Sequence, residues 1–264
     1  MRALRDWPAA ERAGIVGVLT DIDDTLTTEG AVTPDVLEAL AALRAAGLHV
    51  IPITGRPVGW SEPFAQAWPV DAIVAENGAV ALTRTDAAGS LRKLYVQDEA
   101  VRAANYARMQ QVVQRIEREI PGAARSQDSG GRETDIAIDH GEFTQLPQDT
   151  IAQVVALMRQ EGMNATVSSI HVNGWYGDHS KLSGARWIVR ELLQRDLDAE
   201  IGRWVYVGDS TNDVLMFQHF PHSAGVANIR SFEAQLAFKP RYVTQGERGA
   251  GFAEVARAVL AARR

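Results

Sequence analysis

The chain has 264 residues, 46% of them apolar and 23% charged, which suits one large globular domain or a domain carrying a smaller second one. Its formal net charge is -6 and it has no Lys/Arg-rich tract, which argues against nucleic acid or an anionic membrane surface as the main partner. It contains no cysteine, which excludes a disulfide framework, a thiolate zinc site and a cysteine nucleophile.

The N-terminal stretch carries Arg2 and Arg5, but its apolar segment runs into aspartates without a small-residue cleavage site, so no signal peptide is expected. No apolar run is long enough to cross a membrane, and the expectation is a cytoplasmic enzyme. Residues 16–19 read as a buried strand. Thr33 and Pro34 form a helix start, Val36, Leu37, Leu40 and Leu43 recur at helical spacing, and Gly47 stops that helix. Residues 49–53 and Ala72–Ala75 are the next strands. Strands separated by helix-length segments predict crossover connections and a mainly parallel sheet.

The pattern changes after Leu82. Residues 83–90 are polar, residues 91–96 are strand-like, and Met109, Val112, Val113, Ile116 and Ile120 mark a long amphipathic helix. The Gly-rich run "SQDSGGRE" reads as a loop and residues 134–139 alternate like a half-buried strand. Ile151, Val154, Val155 and Met158 mark a second helix, and residues 165–168 and 171–174 are two more strands. Alternation of helix and strand then resumes with a helix over Lys181–Leu193, strands over residues 204–207 and 224–227, a helix from Asp213 and a terminal helix to Ala262. The reading is an α/β protein with a Rossmann-like parallel-sheet core, residues 1–82 and 179–264, interrupted by an inserted α/β cap, residues 83–178.

In an open α/β sheet, ligands bind beyond the carboxyl ends of the strands. Asp21 follows the first strand, Thr54 the second and Asp209 the late strand "VYVGD", and Lys181 opens the helix that precedes this last one. With "DIDDT", "ITGRP", "SKLSGA" and "GDSTND" in that order, the chain resembles the haloacid dehalogenase superfamily of phosphotransferases over almost its whole length. "ENGA" at residues 76–79 and the tail "GVAN" with "YVT" make it look like the type IIB group, whose large α/β cap lies between the second and third motifs and which includes many sugar phosphatases.

The chemistry of these residues is consistent with that resemblance. A carboxylate can attack phosphorus and form an aspartyl phosphate, the role that the resemblance and its strand-end place give Asp21. Asp23 is placed to protonate the leaving alkoxide and then take a proton from water. Two carboxylates facing a phosphate dianion call for a cation, and magnesium suits oxygen ligands. The resemblance assigns Mg2+ to the Asp21 side chain, the Asp23 carbonyl and Asp209, with Asp213 a direct or indirect partner beside Asn212. Thr54 and Lys181 would bind the transferring phosphoryl oxygens. Asp24, where glycine is common in the family, is given no role beyond the turn.

For substrate contact the candidates are Gly55 and Arg56 of "TGRP", Arg132 as an anchor for a second anionic group, and His171 and Asn173, which share one face of an extended segment with Trp175. Trp60 and Trp68 are expected to pack the following helix. The implied activity is magnesium-dependent hydrolysis of a small phosphorylated metabolite, a sugar phosphate foremost. A sugar phosphomutase of the same superfamily is the alternative, and a catalytically silent carbohydrate- or partner-binding protein is the alternative from another class. Nothing in the chain specifies an oligomeric state.

Overall fold

The computed structural model describes residues 1–85 and 90–263, so the expected polar segment 83–90 lies partly outside the described residues. In chain order it opens with β1 (Arg2–Ala3), α1 (Ala9–Ala13), β2 (Gly17–Thr20), β3 (Thr27–Thr28), β4 (Ala31–Val32) and α2 (Pro34–Ala45). There follow β5 (His49–Pro52), α3 (Val58–Ala67), β6 (Ala72–Ala75), β7 (Val80–Arg84) and β8 (Leu91–Tyr95). Then come α4 (Glu99–Glu119), β9 (Ile136–Asp139), α5 (Gln148–Gln160), β10 (Asn164–Val167) and β11 (His171–Trp175). The chain closes with α6 (Lys181–Leu193), β12 (Trp204–Gly208), α7 (Val214–His219), β13 (His222–Gly225), β14 (Tyr242–Val243) and α8 (Arg248–Ala261).

Six parallel strands in the order β1-β14-β13-β12-β2-β5 form the main sheet. Alternation along each strand splits its core in two. Val18, Val50 and Val205 pack on one face with α2 and α8, and Leu19, Ile51 and Tyr206 on the other with α6 and α7. These central strands read as continuous apolar runs because both faces are covered. They therefore end abruptly at polar residues, and those ends carry the site.

An isolated parallel bridge between Ile53 and Val74 lays β6 beside β5, and β7 and β8 continue antiparallel from it. Three points differ from the sequence reading. Val80–Arg84 was not singled out as a strand, and Leu91–Tyr95, expected within the insert, is paired to it and so extends the sheet of the first block. α4, the first element of the insert, is capped by Asp98, whose carboxylate accepts from the Val101 amide. The late helix begins at Val214 rather than Asp213, because the Asp213 carboxylate turns back to accept from the Asp209 and Ser210 amides.

The insert is a three-stranded antiparallel sheet in the order β10-β11-β9 with α4 and α5 on one face. Met109, Ile116, Val154 and Met158 of the helices cover Ile136, Ile138 and Val172 of the strands. The opposite face carries Asp135, His171 and Asn173 toward the main sheet. Gly174 keeps the helical face tight, since a Cβ there would meet the Met158 sulfur at 2.7 Å.

Candidate active site

Asp21 sits one residue beyond β2, its amide donating to the Val207 carbonyl at 2.9 Å. Its Oδ1 accepts from Lys181 Nζ at 2.7 Å, and the same ammonium reaches Asp213 Oδ1 at 2.7 Å. Asp213 also accepts from the Tyr206 hydroxyl, so its position is fixed from β12 as well as from its own turn. Asp209, wholly buried, accepts from Thr25 Oγ1 at 3.5 Å and Asn228 Nδ2 at 3.3 Å. The three carboxylates of Asp21, Asp209 and Asp213 lie within 4.8 Å of one another.

That concentration of buried negative charge is strained as protein alone. Burial pushes Asp21 up to about 7 despite the opposing pull of Lys181. Asp209 is likewise driven well above its ordinary range, by burial first and then by Asp21 and Asp213. A hard divalent cation bound by carboxylate oxygens would reverse both effects, and this donor set fits magnesium.

Thr54 follows β5. Its hydroxyl accepts from the Arg56 amide at 3.0 Å and its carbonyl from the Asn77 amide at 2.9 Å. Glu76, Asn77 and Gly78 all have positive φ, making a tight turn against the start of α6. Gly78 and Gly184 let the two segments touch: a Cβ on Gly184 would lie 2.5 Å from Gly78 Cα. The Ser180–Ser183 capping box fixes the helix start that carries Lys181.

The insert meets the site at Arg56. Its Nε holds Asp23 Oδ1 at 2.8 Å, its Nη2 holds Glu142 Oε1 at 2.8 Å, and its Nη1 lies 3.4 Å from Asp128 Oδ2. The guanidinium also lies over the Trp60 ring, which itself packs on Phe64. His171 Nε2 is 3.0 Å from Glu142 Oε2. Arg132 is buried, with Nη1 donating to Asp135 Oδ1 at 2.7 Å and to the Gly55 carbonyl at 3.0 Å. Asn173 Nδ2 donates to Asp135 Oδ2 at 3.2 Å and the same carbonyl at 3.3 Å. Burial pushes Asp135 up to about 7 against the pull of Arg132.

Asp21, Lys181, Asp209 and Asp213 thus converge directly, with Thr54 and Asp23 at adjoining strand ends. Gly55, Arg56, Arg132, His171 and Asn173 meet in one polar network between the inserted sheet and the main sheet's strand ends. Three members escaped the sequence reading. Glu142 lies in a bend with no motif, Asp128 in a short 3-10 helix, Gln127–Gly131, within the run read as a loop, and Glu76 was noted only within "ENGA". Glu76 is wholly buried and accepts from the Val58 amide at 3.0 Å, the Glu133 amide at 2.9 Å and Thr134, tying the insert to α3. Asp24, at φ 53°, pairs with Arg248 at 3.0 Å, and its left-handed backbone explains why a glycine would suit the place.

Residues 18–117 match the family described as haloacid dehalogenase-like hydrolase. The match covers residues 18–117 of the 264, and over the whole chain the likeness to solved structures is one of fold. The Thermoplasma acidophilum 0175 structure superposes with a TM-score of 0.68 at 17% identity, covering 93% of this chain and 98% of that one. The sucrose-phosphatase of Synechocystis sp. PCC6803, solved with sucrose and phosphate, gives 0.65 at 15% identity, covering 92% and 97%. A trehalose-6-phosphate phosphatase related protein gives 0.60 at 13% identity, covering 93% and 97%. Comparison with curated proteins finds no match. Among the described residues no helix is long and apolar enough to cross a membrane.

Proposed function

We propose that the chain is a magnesium-dependent phosphatase of small phosphorylated metabolites, with sugar phosphates the favoured class, acting through an aspartyl phosphate on Asp21. The observation that carries this reading is the buried Asp21 carboxylate at the end of β2, bonded to Lys181 and within 4.8 Å of the Asp209 and Asp213 carboxylates. The names of two fold relatives, a sucrose-phosphatase and a trehalose-6-phosphate phosphatase related protein, favour the sugar phosphate class. The cysteine-free composition favours a cytoplasmic setting.

Asp21, Asp209 and the Asp23 carbonyl would hold Mg2+, with Asp213 supporting them, and the ion would supply charge neutralisation at the phosphoryl group. The Asp21 oxygen that Lys181 leaves free attacks phosphorus, and the ester oxygen departs. Asp23 gives that oxygen a proton, then takes one from the water that cleaves the aspartyl phosphate. Arg56 orients Asp23 for both transfers through its 2.8 Å bond. Thr54 Oγ1 and Lys181 Nζ donate to the phosphoryl oxygens as charge spreads over them. The cap, anchored by Arg132, Asn173 and Glu76, closes over the site and limits water to the hydrolytic step.

The test is phosphate release with magnesium over phosphorylated sugars, acids and nucleotides. Release from at least one ester, absent in Asp21→Asn, is expected. No release from any ester would sink the reading.

A further inference from the structure

Of the three clustered acids, Asp213 is held differently from the others. Its Oδ1 accepts from Lys181 Nζ at 2.7 Å and from the Tyr206 hydroxyl, and its Oδ2 accepts from the Asp209 amide at 3.0 Å and the Ser210 amide at 3.3 Å. A carboxylate offers about four lone-pair sites, and here each has a donor. Asp209 has only the longer contacts from Thr25 and Asn228, and among the described residues the Asp21 carboxylate has a single donor, Lys181. The oxygens with lone pairs open to a cation therefore belong to Asp21 and Asp209.

Tyr206 donates to Asp213 from inside the apolar core. It lies in the middle of β12, wholly buried, on the face that packs Leu19 and Ile51 against α6 and α7. Phe217 and Phe220 flank its ring, each 5.9 Å away between centroids. A phenylalanine would meet that packing equally well, and a buried hydroxyl is costly without a partner, so what distinguishes the tyrosine is the bond it makes. Gly208, two residues on, shares the same strand face, and a Cβ there would lie 2.4 Å from Asp213 Oδ2 and 3.0 Å from the Tyr206 ring. The space left by the missing side chain is the slot that the carboxylate fills beside the tyrosine.

We propose that Tyr206 is a positioning residue: by completing the donor set of Asp213 it keeps that carboxylate off the cation and leaves the Lys181 ammonium to serve Asp21 and the phosphoryl oxygens. The proposal rests on the phosphatase reading above and divides the three acids into two metal ligands and one holder of the lysine. Lys181 Nζ lies 2.7 Å from both Asp21 and Asp213, and an ammonium has three donors, so one remains for a phosphoryl oxygen. In a buried site, a carboxylate short of donors attracts a neighbouring ammonium more strongly. Without the Tyr206 hydroxyl, Asp213 would draw the ammonium toward itself and away from Asp21.

The experiment compares wild type, Tyr206→Phe, Asp213→Asn and Asp209→Asn by calorimetric titration of magnesium, then of inorganic phosphate into the magnesium-loaded protein. Alongside, kcat/KM is measured on glucose 6-phosphate and acetyl phosphate. In Tyr206→Phe the phosphate Kd should weaken and kcat/KM should fall, each roughly tenfold, and equally on both esters because Lys181 acts on the phosphoryl group they share. Its magnesium Kd should stay close to that of wild type. Removing the partner of a true metal ligand typically costs about 10–100-fold in metal affinity, so a loss of that size would make Asp213 a ligand and overturn the proposal. An unchanged phosphate Kd, or a loss confined to glucose 6-phosphate, overturns it too. Asp213→Asn and Asp209→Asn remove the same charge, but only the second removes a proposed ligand, so magnesium should bind the Asp209 variant more weakly. Equal loss in those two would overturn the proposal even if Tyr206→Phe failed to fold. Phosphate binding that weakens in Tyr206→Phe, in a protein whose wild type hydrolyses no ester, would sink the phosphatase reading and leave the role of Tyr206 standing.

Discussion

Arg56, just before α3, lies 2.8 Å from Glu142 of the insert while its Nε holds Asp23 at 2.8 Å. One guanidinium therefore ties the orientation of Asp23 to the seating of the insert. Burial pushes the Glu142 carboxyl up, but hydrogen bonds from His171 and Arg56 outweigh it and hold the group down at about 2.

Glu142→Gln should keep the shape and lose the ion pair. The expected cost is about 1–2 kcal/mol, between exposed and buried ion-pair values because Glu142 is partly exposed. Hydrogen exchange in β9 and β11 should quicken. A carboxyl lowered on folding contributes above its unfolded value and loses that contribution as pH falls toward 2, so the stability gap between wild type and variant should close from about pH 4.5 downward. Urea unfolding across that range checks it, and a gap constant with pH would count against the ion pair.

Magnesium should raise the thermal midpoint of the wild type, by the equivalent of ~2.7 kcal/mol at a hundredfold excess over Kd, and a chelator should abolish hydrolysis. Asp209→Asn should remove most of that thermal response. If both proteins respond equally in calorimetry, the cation sits elsewhere.

Asp21→Asn should end turnover while leaving the fold intact, because an amide is nearly isosteric but a poor nucleophile. In chelator the variant should match or exceed the wild type in stability. It removes one of three crowded carboxylates, and Lys181 keeps Asp213 as its partner. A marked loss of thermal stability in chelator would show that the Asp21–Lys181 bond outweighs the crowding.

Burial lowers the His179 pKa to about 4, so the folded state resists protonation that the unfolded chain accepts from its ordinary 6.5. Stability should fall as pH drops from 6.5 toward 4, by roughly 3 kcal/mol at full effect. Thermal midpoints of wild type and His179→Gln should diverge across that window. Parallel curves would mean that the ring is solvated.

The proposed reacting groups were legible because each is local: a strand end, a helix start or a tight turn fixes Asp21, Thr54, Lys181 and Asp209 within a few residues of a recognisable run. Helix Lys181–Leu193 and strand Ala72–Ala75 could be read to the residue for the same reason. The network around Arg56 could not. Arg56, Asp128, Glu142 and His171 meet only through tertiary packing, and a lone acid in a loop carries no period. Leu91–Tyr95 shows the same limit, since alternation reveals a strand but not its partner. His179 had no signal either, because its ring nitrogens' lack of partners among the described residues becomes visible only once it is buried.

A glycine inside a helix usually weakens it by ~0.5–1 kcal/mol relative to alanine, and replacing it is a common route to a hardier protein. At Gly184 that route is closed. The added methyl would strike Gly78 Cα and its carbonyl oxygen, at 2.5 and 2.8 Å, and lever away the helix whose first residue, about one turn earlier, is Lys181. Hydrogen bonds of 2.7 Å tolerate only tenths of an ångström, so this helix stays softer than it could be as a condition of its lysine arriving at Asp21.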